Sequence, residues 1–180
     1  MADVDEQLLD TAERLYYARS IQGVGMAELR DESGVPLKRI YQLHPGKEDI
    51  VAAWLQRRDA TWREALTEYG ERAKDPRKRV LALFDWLQEQ ASEPDFNGDA
   101  WTNAYGELGS TSEVVAEAVR GHKSDLRDYV SGLVADAGGG RSIQHAIFFL
   151  VEGAMVTAAI EQSPKAAKQA RKAAQTLLDA

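Results

Sequence analysis

Residues 25–47 read Gly25-Met26-Ala27-Glu28-Leu29-Arg30-Asp31-Glu32-Ser33-Gly34-Val35-Pro36-Leu37-Lys38-Arg39-Ile40-Tyr41-Gln42-Leu43-His44-Pro45-Gly46-Lys47. The pattern predicts two short helices, 26–32 and 37–43, on either side of the turn Ser33-Gly34-Val35. Pro36 falls where a first-turn proline is tolerated, since its missing N–H would have had no partner within the helix. His44-Pro45-Gly46 stops the second helix, because a residue before proline is pushed out of the helical region. Upstream, residues 5–18 put Leu8, Leu9, Ala12, Leu15 and Tyr16 on one helical face, which Gly23 and Gly25 interrupt.

Two short helices around a glycine turn, straight after an amphipathic helix, form the helix-turn-helix pattern. Such a pair places its second helix in the DNA major groove, where base edges carry a distinct donor and acceptor code. The local charge agrees. Residues 1–50 hold 6 Lys/Arg against 10 Asp/Glu, yet residues 33–47 contain Lys38, Arg39, His44 and Lys47 and no acid. A solvated helical hairpin, charged only for solubility, fits the same spacing.

The rest of the chain reads as further helices, about nine in all, with no run of strict alternation to suggest a sheet. Residues 47 to about 73 carry Ile50, Trp54, Leu55, Ala60 or Thr61, Leu66 and Tyr69 inward. Asp75-Pro76 opens another helix to residue 90, with Val80, Leu83, Phe84 and Leu87 inward. Residues 92–99 are a loop by composition, and 101–108 a short helix. Val115, Val119, His122, Leu126, Tyr129 or Val130, and Leu133 then mark a long amphipathic helix ended by Gly138-Gly139-Gly140. Residues 142–161 are apolar nearly all round, which predicts a helix covered on most sides, and 165–179 set Ala166, Ala167, Ala170, Ala173, Ala174 and Leu177 toward one side.

Residues 8–50 resemble, without a gap, the N-terminal domain of the TetR family of transcriptional regulators. The matching parts are Leu9-Asp10-x-Ala12-x-Arg14-Leu15-Tyr16, Met26-Ala27-Glu28-Leu29, Gly34-Val35, Ile40-Tyr41, Pro45 and Lys47-Glu48-x-Ile50. One branch of the family is resembled further along, at Gly98, Asn103-Ala104, Glu107, His122-Lys123, Gly153-Ala154 and the alanine-rich last helix. Several positions depart from the pattern. Ser20 stands where a glycine is usual, Gly25 at a Ser/Thr cap, and Arg30 at a small residue. His44 stands at an aromatic, and Asp99 at a cysteine frequent in that branch.

The resemblance implies an all-α chain with a three-helix DNA-binding domain at residues 1–47 and a helical ligand-sensing and dimerisation domain at 48–180. It implies phosphate contacts from Tyr41 and Lys47. Lys47 also opens a helix, whose N–H groups and dipole attract anions. Leu37, Lys38, Arg39 and Gln42 lie on the first turns of the docking helix, within reach of base edges. Lys38 or Arg39 suits guanine, Gln42 adenine and Leu37 a thymine methyl; Lys38 and Arg39 equally suit phosphates. Gly25 and His44 complete the DNA-facing set.

A pocket for an unidentified small-molecule effector is expected where polar groups interrupt apolar faces: His122, and Asn103 with Glu107 four residues on. Trp86, Trp101, Tyr105, His145, Phe148 and Glu152 are further candidates. Each equally suits a core position or a satisfied buried polar group. The last two helices suit a twofold four-helix dimer surface through Ile147, Val151, Ala154, Ala158, Ala170, Ala174 and Leu177. They suit the completion of a monomer core as well.

Composition narrows the alternatives. The 180 residues are 44% hydrophobic and 28% charged with net charge −7, ordinary for a globular chain and unlike a protein that coats nucleic acid non-specifically. Zero cysteines exclude thiolate catalysis, disulfides and Cys-ligated metals. His44, His122 and His145 are the only histidines, and none has helical metal-ligand spacing. No nucleophile elbow or phosphate-binding loop occurs. No catalytic residue, metal or cofactor is therefore expected. A helical protein-binding adaptor without DNA contact is the alternative. The acidic opening at residues 1–6 is no signal peptide, and the apolar stretch 146–160 is short and holds Glu152, so a cytoplasmic protein is expected.

Overall fold

The structure, a computed structural model, describes residues 4–180; residues 1–3 of the acidic opening lie outside the described residues. Among the described residues there are nine helices and no strands. They are α1 (Val4–Arg19), α2 (Met26–Ser33), α3 (Leu37–Leu43), α4 (Lys47–Glu71), α5 (Pro76–Gln90), α6 (Ala100–Leu108), α7 (Glu113–Asp136), α8 (Arg141–Glu161) and α9 (Lys165–Asp179). The chain forms two compact units, residues up to 60 with 100–122, and residues 61–99 with 123–180. The unit holding α1–α3 therefore also contains the start of α4, all of α6 and the start of α7.

In the first unit the amphipathic face read from residues 5–18 buries Leu8, Leu9, Ala12, Leu15 and Tyr16. They share a core with Ile21, Val24, Leu29, Ile40, Ile50, Trp54, Leu55 and Trp101. Ile40 is completely buried, which contributes about 1.5–3 kcal/mol and pins α3 from beneath. Tyr16 meets Trp54 edge to face at 5.7 Å. At the rim, Arg57 reaches Asp10 at 2.7 Å and Glu13 at 3.1 Å, and Arg58 also pairs with Glu13.

In the second unit Asp75 caps α5, accepting from the Lys78 N–H at 3.0 Å, with Pro76 in the first turn. The short side chains Ala166, Ala167, Ala170 and Ala174 let α9 pack on α5 and α8, and Leu178 closes that seam. Residues 142–161, apolar nearly all round, are not covered on most sides. The buried face of α8 carries Ile147, Phe148, Val151, Ala154, Met155 and Ala158. Its open face carries Phe149, 65% exposed, Val156, and Ile160, 79% exposed. By length and composition alone α8 is apolar enough to cross a membrane. One face of it packs on α5 and α9, and its Glu152 pairs with Lys123.

Candidate nucleic-acid interface

Gly34 ends α2 with φ of 68°, a left-handed conformation that costs glycine little, and its N–H bonds the Arg30 carbonyl at 2.9 Å. Two further backbone groups of the turn are satisfied by side chains. Gln7 Nε2 donates to the Ser33 carbonyl at 2.7 Å, and the Val35 N–H donates to Ser33 Oγ at 3.2 Å. Arg30 points outward and pairs with Asp31 at 2.7 Å, so its bulk does not enter the α2–α3 packing.

The carbonyl of Pro36 accepts from Arg39 N at 2.7 Å and Ile40 N at 3.1 Å, which starts α3 without a side-chain cap. With Ile40 inward, Lys38, Arg39, Tyr41 and Gln42 are exposed, and Leu37 is half-buried. Gly25 is exposed at the head of α2. His44 is not exposed. It lies in the core, and its Nε2 donates to Asp5 Oδ1 at 2.7 Å, so it ties the end of α3 to α1. At the start of α4, burial holds the Lys47 ammonium below the usual lysine value, against the opposing pull of Glu48 and Glu107.

Glu107, expected in a pocket, instead reaches the loop between α1 and α2. Its carboxylate accepts the N–H of Ile21 at 3.0 Å and of Gln22 at 2.8 Å, while Gln22 Nε2 donates to the Glu107 carbonyl at 2.9 Å. His122 lies on Trp101 with ring centroids 3.6 Å apart and planes within 3°, and its Nδ1 meets Asp59 Oδ1 at 2.7 Å. Asn103 and Tyr105 are exposed. In the second unit Trp86 and Phe148 belong to the apolar core, Trp86 edge to face with Trp62 at 5.0 Å, and His145 is exposed. Glu152 bonds Lys123 Nζ at 2.8 Å, and Lys123 also bonds the buried Asp99 at 2.6 Å. Burial works to lower the Lys123 value, but the two carboxylates outweigh it and raise it.

Most of the expected dimer residues are buried in this chain's own core: Ile147, Val151, Ala154, Ala158, Ala170 and Ala174. Leu177 is half-buried, and with Ala154 and Ala170 it borders grooves between α8 and α9 that Phe149 shares. Asp59, Asp5 and Lys123 carried no assigned role in the sequence reading. Asp59 had a usable signal, an acid on the inward stripe Leu55-Asp59-Trp62-Leu66 at spacings of four, three and four.

No protein-family model matches the chain. A TetR-family transcriptional regulator from Streptomyces coelicolor superposes with a TM-score of 0.89 at 26% identity, covering 98% of this chain and 94% of that one. Over nearly its whole length the chain is thus similar to a TetR-family transcriptional regulator. The reduced form of NemR from Escherichia coli gives a TM-score of 0.87 at 24% identity, covering 97% and 96% of the two chains. In sequence, the HTH-type transcriptional repressor NemR of Escherichia coli K12 is 34% identical over 89 residues. That match takes in 49% of this chain and spans 45% of the relative, about half of its length. In the α1–α2 loop Ser20, the residue standing where the resemblance leads one to expect glycine, adopts a positive φ of 84°.

Proposed function

We propose that the protein regulates transcription by reading palindromic operator DNA as a homodimer, with α3 in the major groove. Residues 1–47 supply the reading surface, and residues 48–180 bind a small-molecule effector whose binding releases the DNA. The observation that carries this reading is the exposed row Lys38, Arg39, Tyr41 and Gln42, held up by the buried Ile40 in a stretch without acids. Side chains of these types at the start of a docked helix match the donors and acceptors of base edges and phosphates. NemR is named as a repressor, which favours repression here. The site of action is the cytoplasm, and the regulatory role of the similar proteins favours no catalytic reaction and no cofactor.

The open face of α8 supports the dimer. A second copy laid across Phe149, Gly153, Val156 and Ile160 would cover apolar surface that the single chain leaves in water. Release by an effector requires that the effector bind more tightly to a dimer whose α3 helices are wrongly spaced for the operator.

Binding to mixed-sequence duplex DNA across a salt series tests the reading against a helical adaptor. A reader with about three cationic phosphate contacts per protomer gives a log–log salt slope near −5. An adaptor gives no salt-sensitive DNA binding at all.

A further inference from the structure

Glu107 sits one residue from the C-terminal end of α6, where a negative charge opposes the helix dipole. The carboxylate is therefore no asset to its own helix. It is spent 85 and 86 residues away in sequence, on the N–H groups of Gln22 and Ile21. The contact is reciprocal, because Gln22 Nε2 returns a bond to the Glu107 carbonyl, one of the groups that a helix end leaves without a partner. The loop so held is a strained one. Ser20 has a positive φ, and its Oγ accepts from Gly23 N at 3.2 Å. Two residues beyond lies Gly25, the N-cap of α2, and α2 leads through Gly34 into α3. The loop thus sets where the α2–α3 pair emerges from α1. α6 belongs to the same compact unit as α1–α3.

We infer that Glu107 is a positioning residue for DNA reading: its carboxylate fixes the α1–α2 loop, and through it the placement of α3. This inference rests on the DNA-reading function proposed above. Electrostatics alone argues for the opposite outcome. Glu107 lies close enough to Lys47 to act on its titration, so removing its charge beside a phosphate-binding lysine should tighten DNA binding. The sign of the effect separates the two.

The test is equilibrium binding of the full chain, Glu107→Gln and Glu107→Ala to the duplex that the wild type selects, with amide exchange followed by NMR. Glu107→Ala is expected to bind about tenfold or more weakly, the equivalent of one charge-assisted hydrogen bond. Glu107→Gln, which keeps one acceptor oxygen, should fall between. The amides of Ile21 and Gln22 should lose protection while those of Leu8 to Tyr16 keep theirs, a local signature that general destabilisation does not produce. Glu113→Gln, an equal charge change on an exposed acid, should bind as the wild type does. Binding by both Glu107 variants as tight as or tighter than wild type overturns the inference, as does unchanged exchange at Ile21 and Gln22. A wild-type chain that binds no DNA overturns the proposed function, and this inference with it.

Discussion

The imidazole of His122 lies flat on the indole of Trp101, centroids 3.6 Å apart, and its Nδ1 meets Asp59 Oδ1 at 2.7 Å. Three helices, α4, α6 and α7, are thereby joined at one buried point of the first unit. His122→Ala removes the stacked ring and the bond to a carboxylate together. The expected cost is about 2–3 kcal/mol. For a chain of this size that lowers Tm by about 5–10 °C, read by thermal denaturation. An unchanged Tm would mean that the stack holds nothing.

Ser20 separates two effects of similar size. Its positive φ costs a non-glycine residue about 1–2 kcal/mol, while its Oγ accepts from Gly23 N. Ser20→Ala keeps the strain and loses the bond, a net loss of about 1 kcal/mol. Ser20→Gly loses the bond but relieves the strain, and should be near neutral. Denaturant midpoints for the two variants check the order.

Lys123 bridges Asp99 and Glu152 with its value raised above the usual 10.5. A raised lysine contributes stability that is complete below its unfolded value and lost as pH rises through its folded value. The contribution should therefore persist through neutral pH and disappear only in alkali beyond about 10.5. Lys123→Met leaves the two carboxylates facing each other and should cost about 2–3 kcal/mol at neutral pH. Unfolding curves of both proteins between neutral and alkaline pH should converge at the alkaline end.

On the reading surface, Lys47→Ala should weaken all duplexes about equally and make the salt slope shallower by about one per protomer. Arg39→Ala should instead relax the preference at one base position, with mismatch costs there falling from about 1–3 kcal/mol toward zero. Competition titrations with single-mismatch duplexes check both. An unchanged preference in Arg39→Ala would assign that side chain to phosphate.

Phe149 is 65% exposed on the open face of α8. Phe149→Glu puts a charge into the surface proposed to meet a second copy and should give monomers by sedimentation while the helical content stays. A dimer of undiminished affinity would move the interface elsewhere.

Much of the fold was legible because its breakpoints are local. Gly34, Pro36, Pro45 and Asp75-Pro76 announce helix ends through backbone preferences that act within a turn. What periodicity cannot supply is the identity of the opposing surface. Asn103 and Glu107 read correctly as one face of a short helix, yet nothing near them in sequence says that Glu107 meets Ile21 and Gln22. His44 looked like part of a basic island because charge was counted along the chain, whereas its partner Asp5 lies 39 residues upstream. On α8 the apolar residues run all round, so no moment distinguished the buried Ile147 and Val151 from the open Phe149 and Ile160.

Selection of random duplex DNA by the purified full-length chain at about 150 mM salt bears most directly on α3 as a dimeric reader. A palindrome should be recovered, its half-sites centred about one helical turn apart, or a multiple of that. Enrichment of no sequence by a folded dimer would contradict that role and leave the exposed face of α3 to a protein partner.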